Sequence, residues 1–199
     1  MTALNRFGLL APVAALSLSG CGLNSVPTAE EQVNAAWGNL QSEYQRRADL
    51  VPNLVSTVKG YAQQEKSVLV EVTEARAKAT SIQLSADDLS DPAKMKAFSD
   101  AQGQLGSSLG RLLATFEAYP NLKSNENFLA LQSQLEGTEN SILVARRDYN
   151  ESVRGYNTRI RTFPDAIGAK IFYGAKPKVP FEAASAAQTA PKVDFNTTG

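Results

Sequence analysis

Few side chains in this sequence are able to do chemistry. The only cysteine is Cys21, and histidine is absent. That removes a Cys–His dyad, a Ser–His–Asp triad, an internal disulfide and a cysteine-rich zinc site. The paired Glu-x-x-His sites of helical di-iron proteins go with them. A haem would need an axial His, Cys, Met or Tyr, and beyond Met1 the only methionine is Met95. Carboxylates remain. Glu117, Glu139 and Asp148, with Arg146, invite comparison with acid–base hydrolysis, in which two carboxyl groups lie ~5–9.5 Å apart. Acids on long helices are also commonly ion-paired, so these residues alone name no catalytic group. The charged runs Arg46-Arg47-Asp49 and Arg146-Arg147-Asp148 are candidate docking sites for a protein partner. The alternative is a salt-bridged helix surface, or a partly buried network beside Pro52. The expectation is a non-enzymatic protein without metal or cofactor.

Cys21 has a different chemistry open to it, acylation. Residues 1–20 have the parts of an export signal: Arg6, an apolar run from Phe7 to Leu18 broken only by Ser17, then small residues. The apolar run is too short to span a ~30 Å hydrocarbon layer as a helix. Leu18-Ser19-Gly20-Cys21 resembles the bacterial lipobox, whose cysteine is lipidated before cleavage. Two or more acyl chains anchor stably, at ~0.8 kcal/mol per buried CH₂, where one does not. Gly22 in place of Asp favours an outer-membrane destination facing the periplasm, if the source has two membranes. Lys+Arg and Asp+Glu both number 20, and loss of residues 1–20 removes only Arg6. Such a balance gives no electrostatic reason to bind nucleic acid.

The elements that must carry these residues read as helices. Residues 21–28 form a tether, and Thr28 followed by Glu31 has the spacing of a capping box. An apolar stripe then runs Val33, Trp37, Leu40, Tyr44, Ala48, Val51, Val55, Val58, Ala62 and resumes at Leu69 and Val72. Pro52 interrupts it, leaving either a kinked continuous helix or a break with Asp49 capping a new one. Residues 80–91 read as a loop, and Asp91-Pro92 opens a second helix with the stripe Met95, Phe98, Leu105, Leu109, Leu112, Phe116, Tyr119. Gly103, Gly106 and Gly110 on it mark either close helix contact or simple tolerance. A third stripe runs from Phe128 through Tyr149 and Tyr156 to Phe163, a helix on the order of 55 Å long. Asn150 and Asn157, seven apart, could bond between helices. A short helix follows over 165–172. Residues 174–199, rich in proline and alanine, read as a disordered tail.

The stretch Trp37 to Val58, continuing to Glu65, resembles the signature of the LemA family. So do Glu74-Ala75-Arg76, Glu117 to Lys123, Phe128 to Gln132, Thr138-Glu139, Arg146 to Asn150, Tyr156-Asn157 and Phe163-Pro164. The resemblance implies an all-α, elongated antiparallel bundle of three long helices over 29–173, the first kinked or split near Pro52 and so four-helix-like. It implies extracytoplasmic attachment at the N-terminus and no established enzymatic activity. Some members belong to the magnetosome-building set, which points to envelope organisation. Many members keep an uncleaved transmembrane helix where this sequence has a lipobox, which puts in doubt any partner carried over from them. The functional expectation is a membrane-anchored envelope scaffold or adaptor, with an envelope protein or a second copy as partner. The alternatives are a carboxylate-dependent peptidoglycan hydrolase and a carrier of lipid or another apolar ligand.

Overall fold

The computed structural model describes residues 24–60 and 65–182. Every regular element among them is helical: α1 (Ser25–Lys59), α2 (Lys66–Ser81), α3 (Pro92–Phe116), the single turn α4 (Pro120–Lys123), α5 (Glu126–Arg159) and α6 (Asp165–Ile171), with a 3₁₀ turn at Asp87–Ser90. At 35 and 34 residues, α1 and α5 are each about 50 Å long. They form the most extensive interface of the molecule, while α2 lies on α3 and on α1.

Two clusters of buried side chains fix the chain directions. One holds the start of α1 (Val26, Val33, Trp37, Tyr44), the start of α3 (Met95, Phe98) and the end of α5 (Tyr149, Val153, Tyr156). The other holds the end of α1 (Val51, Leu54, Val58), α2 (Leu69, Val72, Ala79), the end of α3 (Leu105 to Phe116) and the start of α5 (Phe128, Leu135). The long helices therefore run up, down, up and down, the antiparallel bundle the sequence implies.

The helix through Pro52 is continuous, since α1 carries that residue in its interior. The four-helix character comes from the separation of α1 and α2 at Gly60 to Glu65 instead. Proline has no N–H to give the carbonyl four residues back, and that carbonyl belongs to the buried Ala48. Arg76 on α2 supplies the missing donor, its Nε giving a hydrogen bond to the Ala48 oxygen at 2.7 Å. The neighbouring helix thus repairs the interruption.

Helix ends follow local chemistry, with some corrections. Asp91 caps α3 as the sequence suggests, accepting from the backbone N–H groups of Ala93 and Lys94. Thr28 caps nothing: it lies inside α1 and its hydroxyl donates back to the Asn24 carbonyl at 2.7 Å. The third stripe stops short of Phe163, which is 82% exposed. The proposed disorder of 174–199 fails at its start, because Gly174–Glu182 lies ordered on the bundle, and Phe181 and Lys178 are buried. Its prolines remove donors that an extended segment does not need for a helix. Residues 183–199 and residues 1–21, read from the sequence as an export signal and lipidated cysteine, lie outside the described residues.

Candidate functional site

Between the two clusters lies a polar layer. Arg47, one turn past Tyr44 on α1, is 3% exposed. Its guanidinium donates to the Gln102 carbonyl (2.9 Å) and side-chain oxygen (2.8 Å), and to Glu139 at 3.1 Å. Gln102 in turn donates to the Ala79 carbonyl at 3.1 Å, so the layer ties all four long helices together. Gly106 makes room for it: a Cβ there would stand 3.3 Å from the Arg47 guanidinium, whereas Gly103 and Gly110 face open space. Close approach explains the first of these glycines and tolerance the other two.

The second polar construction holds the segment after α6. Asn157 accepts from the Lys178 N–H and donates to the Lys178 carbonyl, both at 2.8 Å. One heptad earlier, Asn150 does the same for Phe181, at 2.7 and 2.9 Å. The Tyr149 hydroxyl donates to the Val179 carbonyl, and the Val179 N–H to the Leu89 carbonyl. The two asparagines therefore clamp an extended strap by its backbone instead of joining two helices. The strap fills with side chains as well. Phe181 packs against Tyr44 and Phe98, under the Arg146 guanidinium at 4.5 Å. Buried Lys178 pairs with Glu30 at 3.0 Å and donates to the Ala86 carbonyl.

The six charged residues proposed for docking divide accordingly. Arg47 faces inward in the polar layer, and Arg146 covers the strap and reaches the Glu182 carbonyl at 3.2 Å. Arg46, Asp49, Arg147 and Asp148 are exposed. Arg46 lies 3.7 Å from Glu43, Asp49 accepts from Gln45, and Arg147 lies beside Asp148. Asp148 also lines an open groove of about 510 Å³ between α1 and α5, with Asn39, Glu43 and Ser141. The structure thus separates two anchoring arginines from four surface charges, a division that stripe counting misses because a buried arginine follows the same period as a buried leucine.

The carboxylates considered for hydrolysis do not meet. Glu139 belongs to the polar layer through Arg47. Exposed Glu117 caps the end of α3, fifteen residues beyond Gln102, about 20 Å along the helix. Among the described residues no group of three or more Cys, Asp or Glu side chains could hold a metal ion. Burial pushes the Tyr44 phenol up to about 12, opposed by the charges of Arg146 and Arg47. Burial also pushes up Tyr156, to about 12 with help from the Glu30 charge, and Tyr149. These phenols stay protonated and act as packing and hydrogen-bonding groups. Lys94, with the Ser85 backbone and hydroxyl, holds the Asp88 carboxyl well below its ordinary range at the 3₁₀ turn.

Comparison with known proteins places this architecture. The sequence model of the LemA family matches residues 36–195. Among curated proteins, magnetosome protein MamQ 2 of Paramagnetospirillum magneticum is 28% identical over 178 residues, 81% of this chain and 65% of its own length. Magnetosome protein MamQ of Magnetospirillum gryphiswaldense is 27% identical, covering 82% of this chain and 65% of its own length. Protein LemA of Metamycoplasma hominis is 26% identical over 140 residues, 70% of this chain and 60% of its own length. The chain spans just under two thirds of the length of these relatives.

Proposed function

The chain belongs to the LemA family, and from that premise we propose that it acts as a non-catalytic scaffold or adaptor, tethered to a membrane through lipidated Cys21. One observation carries the reading. The side chains that could do chemistry are either apart, as Glu117 and Glu139 are, or occupied in holding the bundle, as Arg47, Asn150 and Asn157 are. What remains for a partner is surface charge on long, rigid helices: Arg46 and Asp49 on α1, Arg147 and Asp148 on α5. The tether is assigned to acyl chains on Cys21, on the strength of the lipobox-like Leu18-Ser19-Gly20-Cys21; no described helix is long and apolar enough to cross a membrane. Gly22 favours the outer membrane, facing the periplasm, in a two-membrane cell. The partner is an envelope protein or a second copy of the chain.

Crosslinking in intact cells, with mass spectrometry of the joined species, tests the reading. Repeated links from one envelope protein to the Arg46–Asp49 or Arg147–Asp148 surface are expected, and their loss on charge reversal at those positions. Random neighbours alone, or turnover of a cell-wall substrate by the purified chain, would overturn it. A carrier of an apolar ligand is the second reading, favoured by the open apolar groove of about 530 Å³ lined by Val55, Leu69, Val70 and Thr73. Lipid co-purifying with the chain, and lost on Leu69→Gln, would favour it.

A further inference from the structure

The segment from Phe163 to Phe172 turns its large apolar side chains the wrong way for water. In α6 the buried residues are Gly168 and Ala169, while Ile167 and Ile171, one turn apart, are 53% and 69% exposed. Phe163 and Phe172 flank them at 82% and 66%. Of the other exposed large hydrophobics, Tyr173 adjoins the segment, while Val70, Leu129, Leu143 and Val144 lie on α2 and α5, away from it. A helix that puts small residues inward and large ones outward is amphipathic toward something other than the protein core.

Charge and position indicate what that is. Between residues 159 and 176 stand Arg159, Arg161, Lys170 and Lys176 against the single acid Asp165, which is paired with Arg159 at 3.9 Å. Arg161, Lys170 and Lys176 are exposed. Four acids line the neighbouring groove together with Lys176: Glu30 pairs with Lys178, Asp88 with Lys94 and Asp91 caps α3, while Asp87 is exposed. Position follows from packing. α6 lies against α1, and Ala169 shares a buried cluster with Val26 and Ala29 at the first turns of α1. Cys21 lies three positions before Asn24, a reach of about 10 Å in extended chain. An acylated Cys21 therefore holds this end of the bundle, and no other, at the lipid surface.

We infer that Phe163, Ile167, Ile171 and Phe172 form a membrane-interface patch that enters the headgroup region of the bilayer holding Cys21, with Arg161, Lys170 and Lys176 facing anionic lipid. The inference rests on the lipid-anchor reading above. Aromatic and aliphatic side chains beside basic residues suit that region. The anchor keeps the patch at high local concentration, so a contact too weak to recruit the protein can still orient it. The bundle then stands on its α6 end, with the α2–α3 face and the far end of α1 presented away from the membrane.

The mature lipidated chain provides the test, because acylation blocks its only native thiol. Phe172→Cys and, as control, the equally exposed Leu143→Cys each accept one polarity-sensitive dye. Each labelled chain is reconstituted on phosphatidylcholine vesicles with and without phosphatidylglycerol. A blue-shifted emission at 172 and an aqueous one at 143 are expected, with the shift at 172 growing when phosphatidylglycerol is present. A chain that pellets with vesicles while both dyes report water overturns the patch and leaves the anchor standing. A chain that does not pellet overturns the anchor, and the patch with it. An equal shift in both lipids overturns the role of the three cations. Ile167→Ser, which alters an exposed residue and spares the core, provides the second variant: the shift at 172 falls while the helical content stays unchanged.

Discussion

The two halves of the bundle share four helices and differ in how their cores are made. The half around α6 is aromatic and cross-tied: Trp37 packs against Phe98 at 5.1 Å and Tyr149 at 5.4 Å between ring centres, and Phe98 touches Tyr44 and Phe181. Its strap is bonded by side chains from 21 to 31 residues away. The far half is largely aliphatic, built from Val51, Leu54, Val58, Leu105, Leu109 and Leu112. The Arg47–Gln102–Glu139 layer divides them. Directional contacts fix geometry, whereas aliphatic packing fixes volume, so the near half is the rigid part and the far half the adaptable one.

Alkaline titration breaks this contrast most strongly. Tyr44, Tyr149 and Tyr156 all lie in the aromatic half, and all have phenols raised by burial. A raised folded pKa means that the native state holds its protons while the unfolded chain, near 10, releases them. The stability they confer is full below about pH 10 and is lost as pH rises through about 12. Trp37, the single tryptophan, sits in that half, so its fluorescence should report unfolding there between those limits. A Trp37 signal unchanged to pH 12.5 or beyond, with tyrosinate absorbance rising in full, would show the aromatic half to be no more tightly protonated than solvent. (The upper limit of about 12.5 allows half a unit beyond the folded values of Tyr44 and Tyr156.)

Next in size is core truncation. Phe98→Ala should cost about 3–5 kcal/mol, and Leu112→Ala about 2–5 kcal/mol, measured by urea denaturation. The informative readout is elsewhere. Phe98→Ala removes the surface under Phe181 and should raise amide exchange over 178–181, while Leu112→Ala should leave those amides as they are. Equal loosening of the strap by both would show one undivided core.

Much of this was legible in the sequence, and the residues show why. Three- and four-residue spacing finds Trp37, Leu40 and Tyr44, or Leu105, Leu109 and Leu112, because a helix repeats its inward face every 3.6 residues. Asp91-Pro92 announces a helix start for reasons confined to a few atoms. The strap escapes such reading. Lys176-Pro177-Lys178-Val179-Pro180 has no periodicity, and what orders it is Asn150, Asn157 and Leu89, distant in sequence. Arg47 is legible in part, since a partly buried network beside Pro52 is one reading of its charged run, but only the neighbouring helix reveals Gln102. Arg76 escapes, because charge suggests a surface and the open Ala48 carbonyl lies on another helix. Of the proposed docking residues, the spacing could find the clusters but could not tell the inward arginines from the outward ones.

A smaller effect sharpens the account of the far half's entrance. Arg76→Met should destabilise by about 1–3 kcal/mol, because it leaves the buried Ala48 carbonyl without its donor. Pro52→Ala supplies that carbonyl with a backbone N–H from α1 itself. The double variant should therefore recover most of the loss, giving a coupling energy of about 1 kcal/mol or more in a double-mutant cycle. Additive effects would mean that Arg76 contributes by packing and charge alone.

The smallest effect separates clamp from core within the near half. Asn157→Ala and Asn150→Ala each remove two hydrogen bonds to the strap backbone. The strap lies at the surface and water can replace part of what is lost, so each should cost only about 1 kcal/mol. The two should differ in kind. Phe181 remains held by its ring contacts when Asn150 is gone, whereas Lys178 without Asn157 keeps its bond to the Ala86 carbonyl and its Glu30 pair, the latter screened by salt. Exchange of the strap amides should then become salt-dependent in Asn157→Ala and stay salt-independent in Asn150→Ala. The same salt response in both would place the strap's hold in electrostatics and take from the aromatic cluster the role the comparison of the two halves gives it.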